Sequence, residues 1–568
     1  MSNYKIGRVV GVCSDKIEIT LLDHIEACEE RLGVPHCMSV SINTPNGPQP
    51  LLIGQPGSFL KIDIPLGQLL CMVTDIHMTE AQPNSSVARE IIKDGDCVFE
   101  TPKRLLTVIP FGTITPNGDF EKGTDILPTV NSNAYAVLNE TIDRIYSSYA
   151  EGNFNIGKLS LFPEQDAKIN LDAFLTRHGA ILGQTGSGKS WTVASFLQKI
   201  AGLEKSTVVL FDLHGEYKTA FGNYAEYIDA SDLEFPYWLM NCEELIDLMV
   251  DRSESAAPNQ IAKFIDLLCN AKKTHPENIA LGLDDINVDT PVYFNFESII
   301  REFQRLDTEM VPGVAKAKQG DLFGKFSRLL MRLNSKLRDT RYNMIFKPQQ
   351  YNTSASMNDL FKKLLGEETQ PKKIVIIDMS PIPFDVRTSV ISLILRCLFD
   401  FAYWYKRLNE RAYPIAVFCD EAHIYLNEYD VACKTSRQSA EKIAKEGRKY
   451  GISLTVISQR PREVSATILS QCNTFLCLRI TNPDDQSYVR RLLPDSVAGV
   501  ASMFSILRRG ESILLGDSVI MPTRIKIDIP DPKPTSDDCS FLDEWSTPHQ
   551  EIDIERVLTA WRNQSINI

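Results

Sequence analysis

The segment GQTGSGKS at residues 183–190 satisfies G-x-x-x-x-G-K-[ST] at every position. It follows the apolar run AIL and precedes WTVASFLQKI, whose apolar spacing is helical. Phosphate chemistry needs that order. Glycine lets backbone N–H groups turn into the loop and lets phosphate oxygens come close. The following helix directs the positive end of its dipole at the same anion. The sequence therefore predicts a nucleotide cradle of Gly183, Gln184, Thr185, Gly186, Ser187, Gly188, Lys189 and Ser190, with Trp191 next along the helix. Lys189 would reach the β- and γ-phosphates of ATP, and the Ser190 hydroxyl would ligate Mg²⁺.

Phosphoryl transfer also needs a carboxylate for the metal and a group that orients the attacking water. PIAVFCDE (414–421) closes an apolar strand with both: Asp420 would hold Mg²⁺ through its water shell, and Glu421 would orient the water. An acidic strand end facing solvent is the weaker alternative beside a complete phosphate loop. Residues 420–423 spell Asp-Glu-Ala-His, the letters that name a class of RNA helicases. Those enzymes carry a second RecA-like domain after the motif. Residues 422–568 offer three more strands and a tail, with no Q-x-x-G-R-x-G-R run. The segment is a metal-binding strand end and not that helicase box.

A single RecA-like unit presents half a nucleotide site on each of two faces, so a neighbouring subunit, most naturally in a ring, is expected to complete it. Gln459 in Ser458-Gln459-Arg460 follows the strand SLTVIS, where ring ATPases place a γ-phosphate sensor. Arg448, in Lys445-Glu-Gly-Arg448-Lys449, sits on the intervening helix, from which an arginine can reach the adjacent protomer's nucleotide; a solvated helix face is the alternative. Lys325, Arg328, Arg332 and Lys336 form one stripe of a helix, with Leu329, Leu330, Leu333 and Leu337 on another. That stripe could line a DNA channel, but the solvated side of an amphipathic helix is favoured.

These residues need a scaffold. Residues 1 to about 150 are β-rich, with IGRVVGV, KIEITLL, SFLKIDI and QLLCMVTDI punctuated by Pro45, Gly47, Pro56, Gly57 and Gly67, which suggests a small barrel over an irregular β-cap. From 151 to about 530, GAILG, TVVLFD, KIVIIDM, PIAVFCD, SLTVIS, TFLCL and SILLG alternate with amphipathic stretches. Such runs predict an α/β fold, a RecA-like P-loop core with a parallel sheet covered on both faces. A largely helical insertion is expected at about 225–365. Residues 531–568 read as a Pro-rich, acidic linker leading to a short helix near 552–562.

Composition limits the rest. The chain has 568 residues, 43% of them hydrophobic and 23% charged, as in soluble globular proteins. No apolar run is long enough for a signal peptide or membrane helix. Thirteen cysteines, an odd number without a CxxC pair, point to reduced cytoplasmic thiols and against a zinc site. A net charge of −13 argues against coating nucleic acid with the whole surface, though not against a local basic channel.

GQTGSGKS, FDLHGEY (211–217), VFCDEAHIYL, EKIAKEGRKYG (441–451) and SQRPREVSATILSQCNTFLCLRITNPDDQ (458–486), in that order, resemble the HerA family of the FtsK–HerA group. The β-rich N-terminus is similar too. The resemblance implies a homo-hexameric ring with double-stranded DNA in its channel and ATP between subunits. It also implies a partner: a nuclease in end processing, or a nuclease or sirtuin-like NAD-consuming effector in anti-phage defence. By motif, the catalytic set is Lys189, Ser190, Asp420, Glu421 and Gln459, with Arg448 from the neighbour and Arg177 a second candidate across the boundary. His214 and Glu216 are assigned to site geometry or to coupling with the channel. Two functions follow: an ATP-driven DNA translocase, or an ATP-regulated ring scaffold that switches on a partner. A secretion motor is disfavoured, and no nuclease signature is evident.

Overall fold

The computed structural model describes residues 4–22, 39–44, 47–52, 54–78, 104–312, 318–368, 370–494, 497, 499–536, 540–546 and 553–563. Pro45 lies outside them. The N-terminal strands are β1 (Lys5–Val12), β2 (Ile17–Leu21), a separate hairpin of β3 (Ser39–Thr44) and β4 (Gly47–Leu52), β5 (Phe59–Ile64), β6 (Gly67–Met78), β7 (Arg104–Ile114), β8 (Phe120–Lys122) and β9 (Asn133–Ala136). Six of them run in the order β2-β1-β9-β5-β6-β7, and β7 returns to pair with β2, closing an antiparallel barrel. Period-two alternation builds its inside: Ile17, Ile19, Leu60, Ile62, Leu69, Cys71, Leu106 and Val108 point into one buried cluster. On the other face, Phe59, Leu70, Met72, Ile109 and Phe111 pack into the main core of the chain. Phe59 stacks on Phe162 with ring centroids 6.4 Å apart, and Lys122 Nζ donates to Gly516 O (3.1 Å) and Val519 O (3.0 Å) across the same boundary.

The second sheet has eleven strands in the order β11-β10-β22-β21-β20-β12-β19-β18-β13-β17-β14. They are β10 (Phe154–Leu159), β11 (Asp166–Ile169), β12 (Gly179–Leu182), β13 (Val208–Asp212), β14 (Ala225–Asp229), β17 (Ile374–Asp378), β18 (Ile415–Cys419), β19 (Ile452–Ser458), β20 (Thr474–Cys477), β21 (Glu511–Gly516) and β22 (Thr523–Ile527); the short β15 (Met310–Val311) and β16 (Lys318–Gln319) form their own hairpin. From β14 to β20 the pairing is parallel, and β12, β13, β17, β18 and β20 are buried at every position. The expected all-parallel sheet is corrected at one edge. SILLG forms β21, which runs antiparallel to β20, and β22, β10 and β11 continue antiparallel. The short connection from β21 to β22 is too brief for a parallel crossover and fixes that pair as antiparallel.

Between β14 and β17 lie the helices Cys242–Met249, Ala257–Thr274, Phe296–Asp307, Ser327–Arg338 and Met357–Leu364, packed through Trp238, Phe264, Phe294, Phe303 and Phe326. Asn241 and Glu244 cap the first reciprocally. On the basic helix, Leu329, Leu330 and Leu333 are buried, Arg332 ion-pairs with Glu254, and Lys336 Nζ donates to Tyr342 Oη at 3.1 Å. Two of the four stripe cations are therefore engaged within the chain. The tail carries the helices Phe541–Ser546 and Ile554–Asn563. No helix among the described residues is long and apolar enough to cross a membrane.

Candidate nucleotide site

The parallel register brings the chemistry to one edge of the sheet. Leu182 pairs with Ser458 and Cys477, Asp212 pairs with Asp378, and Asp420 follows Cys419, so the phosphate loop and the acids leave the carboxyl ends of adjacent strands. The loop is held from outside. Gly183 N–H donates to Ser458 O (3.2 Å), Gln184 N–H to Arg479 O (2.9 Å), and Thr481 N–H to Gln184 Oε1 (3.0 Å). Gly188 is the N-cap of the helix Lys189–Ala201 at φ 101°, a left-handed conformation that glycine adopts freely. A Cβ on Gly183 would lie 2.7 Å from Ser187 Oγ and 2.8 Å from Leu478 Cβ.

Lys189 is buried, its ammonium 3.5 Å from Gln184 O and 3.9 Å from Glu421 Oε1. Asp420 and Glu421 are buried beside it. Burial, and then the neighbouring Glu421 charge, push the Asp420 carboxyl well above the ordinary range. Burial also raises Glu421, against the pull of Lys189 and His214. Glu421 adopts a left-handed backbone at φ 45°, uncommon for a residue other than glycine. Its Oε2 lies 3.3 Å from His423 Nδ1, and that nitrogen is 3.3 Å from Ser458 Oγ. Burial drives the His423 pKa down to about 4, so the ring is neutral at pH 7. Gln459 accepts a hydrogen bond from Thr185 Oγ1, which seats it on the phosphate loop.

Spacing alone did not pick out Asp212. Its Oδ1 accepts from the N–H groups of His214 (3.2 Å), Gly215 (2.8 Å) and Glu216 (3.2 Å), and its Oδ2 from Tyr217 N–H (3.0 Å). It therefore shapes the FDLHGEY turn, with Gly215 at φ 71°. The available signal was an acid closing an apolar strand, the same pattern that marked Asp420. His423 and Ser458 were also missed as a pair, because they come from different strands. Glu216 is half-buried, its charge raises Asp420, and its Oε2 has no hydrogen-bond partner; His214 is exposed on the same turn. The Ser190 hydroxyl and the buried Asp420 carboxylate are hard oxygen donors of the kind Mg²⁺ takes, and the buried Glu421 Oε2 beside them accepts no hydrogen bond.

Arg448 and Arg177 stand apart from this cluster. Arg448 is exposed at the end of the helix Lys434–Tyr450, which leads through Gly451 into the start of β19. Arg177 precedes β12 and ion-pairs with Asp517. Both lie at the amino ends of strands whose carboxyl ends carry the phosphate loop and Gln459.

Strand, phosphate loop, helix and paired acids on a RecA-like sheet define a P-loop ATPase. Residues 154–398 match the family described as helicase HerA, central domain. Over that span the chain is similar to the HerA family. The DNA double-strand break repair helicase HerA of Sulfurisphaera tokodaii is 27% identical over 442 residues, covering 77% of this chain and 81% of that one. The protein of the same name from Pyrococcus furiosus is 25% identical over 480 residues, 78% and 81% of the two chains. Among solved structures, the plasmid coupling protein TrwB in complex with ADP and Mg²⁺ aligns with a TM-score of 0.39 at 15% identity, over 69% of this chain and 93% of that one.

Proposed function

We propose that the chain is an ATP- and Mg²⁺-dependent translocase or helicase of double-stranded DNA that works as a homo-hexamer, its units being a barrel (1–150), a motor (151–530) and a tail (531–568). Lys189 holds the β- and γ-phosphates, Ser190 and Asp420 hold the metal, Glu421 orients the water, and Gln459 senses the γ-phosphate. Arg448 of the neighbouring subunit, with Arg177 as the second candidate, stabilises charge on the transferring phosphoryl group. The metal supplies charge neutralisation across the phosphates. The observation that carries this reading is the division within one chain: Lys189 lies 3.9 Å from Glu421, while both arginines sit at the far ends of the strands. The relatives named for DNA double-strand break repair support DNA as the substrate. A partner nuclease or NAD-consuming effector, in end processing or anti-phage defence, belongs to the same proposal.

Displacement of a third strand from a DNA triplex by the purified protein, with ATP and Mg²⁺, tests it. The wild type should displace the strand and Glu421→Gln should not. No displacement, with or without a partner, would remove the translocase. An ATP-regulated scaffold is the second reading, favoured by one feature: Phe541, Leu542, Trp545, Ile554, Val557 and Trp561 in the tail are 61% to 79% exposed. Partner activation that survives Glu421→Gln would favour it.

A further inference from the structure

Beyond β22 the chain runs along the helix Lys189–Ala201 as a strap, residues 528–535. Asp528 ion-pairs with Lys199. Asp531 N–H donates to Gln198 Oε1 at 3.0 Å, and Gln198 Nε2 donates to Pro532 O at 2.7 Å. Further on, Thr219 Oγ1 donates to Lys533 O at 3.1 Å, and Thr535 N–H donates to Glu216 O at 2.7 Å. The strap is thus stitched to the phosphate-loop helix on one side and to the turn after Asp212 on the other. Between those anchors, Lys533 Nζ lies 5.1 Å from the Trp191 ring centroid, and the Arg509 guanidinium lies 5.4 Å from the same centroid. The turn that carries Arg509 is held against the phosphate loop, where Gly510 N–H donates to Ser187 O at 3.1 Å. The indole Nε1 of Trp191 is buried without a hydrogen-bond partner.

Helix geometry says which end of a nucleotide meets this group. Two residues along a helix turn roughly 200°, so Trp191 projects from the side opposite Lys189. A triphosphate whose last phosphate lies against Lys189 and Glu421 therefore leaves the helix N-terminus on the Trp191 side. We propose that Trp191, Arg509 and Lys533 form the nucleoside end of the ATP site, with strap 528–535 holding Lys533 in place. Arg509 stacks on the purine face, Lys533 donates to acceptors of the base or ribose, and Trp191 backs both cations. This inference rests on the proposed ATP site and adds binding residues from two remote parts of the chain.

Steady-state ATP hydrolysis by the full-length protein, with inorganic tripolyphosphate as competitor, tests it. Lys533→Ala and Arg509→Ala should each raise the KM for ATP about three- to tenfold and leave kcat within about twofold. The inhibition constant for tripolyphosphate, which has no nucleoside, should stay within about twofold of wild type in both variants. The assignment is overturned if the double variant keeps the wild-type KM, or if the tripolyphosphate constant rises in step with it. Lys189→Ala should lose both ligands; if it hydrolyses ATP normally, the underlying site is wrong rather than this extension of it. A second measurement needs no cation variant. ATP and ADP, but not tripolyphosphate, should change tryptophan emission in the wild type, and Trp191→Phe should abolish the change. An unchanged emission on ATP binding would also overturn the assignment.

Discussion

Lys189, Asp420 and Glu421 crowd charge into a space with little water, and the folded chain is strained by it. Both carboxyls have raised pKa values, so folding disfavours their ionised forms. Stability therefore falls as pH rises from the ordinary carboxylate range toward the raised values, and it stays lower above them. Glu421→Gln should unfold at a higher temperature than wild type at pH 7.5, with the advantage shrinking as pH approaches about 4. On the proposed role of Glu421 in orienting the water, ATP turnover in the same variant should drop by about 10²-fold or more. Histidine gives the opposite slope. Burial lowers His178 to about 4, and its Nδ1 accepts Leu454 N–H at 3.0 Å. The unfolded chain takes up that proton near 6.5 and the folded chain does not, so stability is complete above that pH and is lost as pH falls to about 4. His178→Asn keeps an acceptor and suits the local φ of 58°. Its denaturation midpoint should change less than that of the wild type between pH 6.5 and 4.5, a difference worth about 3 kcal/mol at the acid end.

At the scale of elements, the phosphate loop is limited by space. A methyl group on Gly183 would push into Ser187 Oγ and Leu478 Cβ, so Gly183→Ala should cost about 1–3 kcal/mol in denaturant unfolding and weaken nucleotide binding as the loop shifts. The central strands were legible because β12, β13, β17, β18, β19 and β20 are continuous apolar runs, the mark of burial on both faces. The strands β10, β11, β14 and β22 escaped notice. They are four to six residues long and partly polar, since each lies toward a sheet edge where one face meets solvent or loops. The direction of β21 was misread for a related reason: an apolar run reports burial and says nothing about polarity of pairing. Lys189, Asp420, Glu421 and Gln459 stood out because each motif is local. Asp212, the His423–Ser458 contact and the strap did not, because they depend on partners brought together only by the folded sheet.

At the scale of the whole molecule, the proposed division of the site between subunits predicts a mixing experiment. Lys189→Ala and Arg448→Ala should each be inactive alone. If subunits exchange at random, roughly a quarter of interfaces join an intact phosphate loop to an intact arginine, so an equal mixture should regain ATPase activity. A mixture no more active than its components would exclude Arg448 as the residue given across the boundary. The N-terminal barrel has a consequence of its own. Phe59, Met72, Ile109 and Phe111 face away from the barrel interior and complete the core of the motor. Cutting the chain near residue 137 would leave a greasy scar on both fragments, and neither should stay in solution by itself. Heating the intact protein should give one calorimetric peak for barrel and motor together, and a hinge between them would have to tear that shared wall.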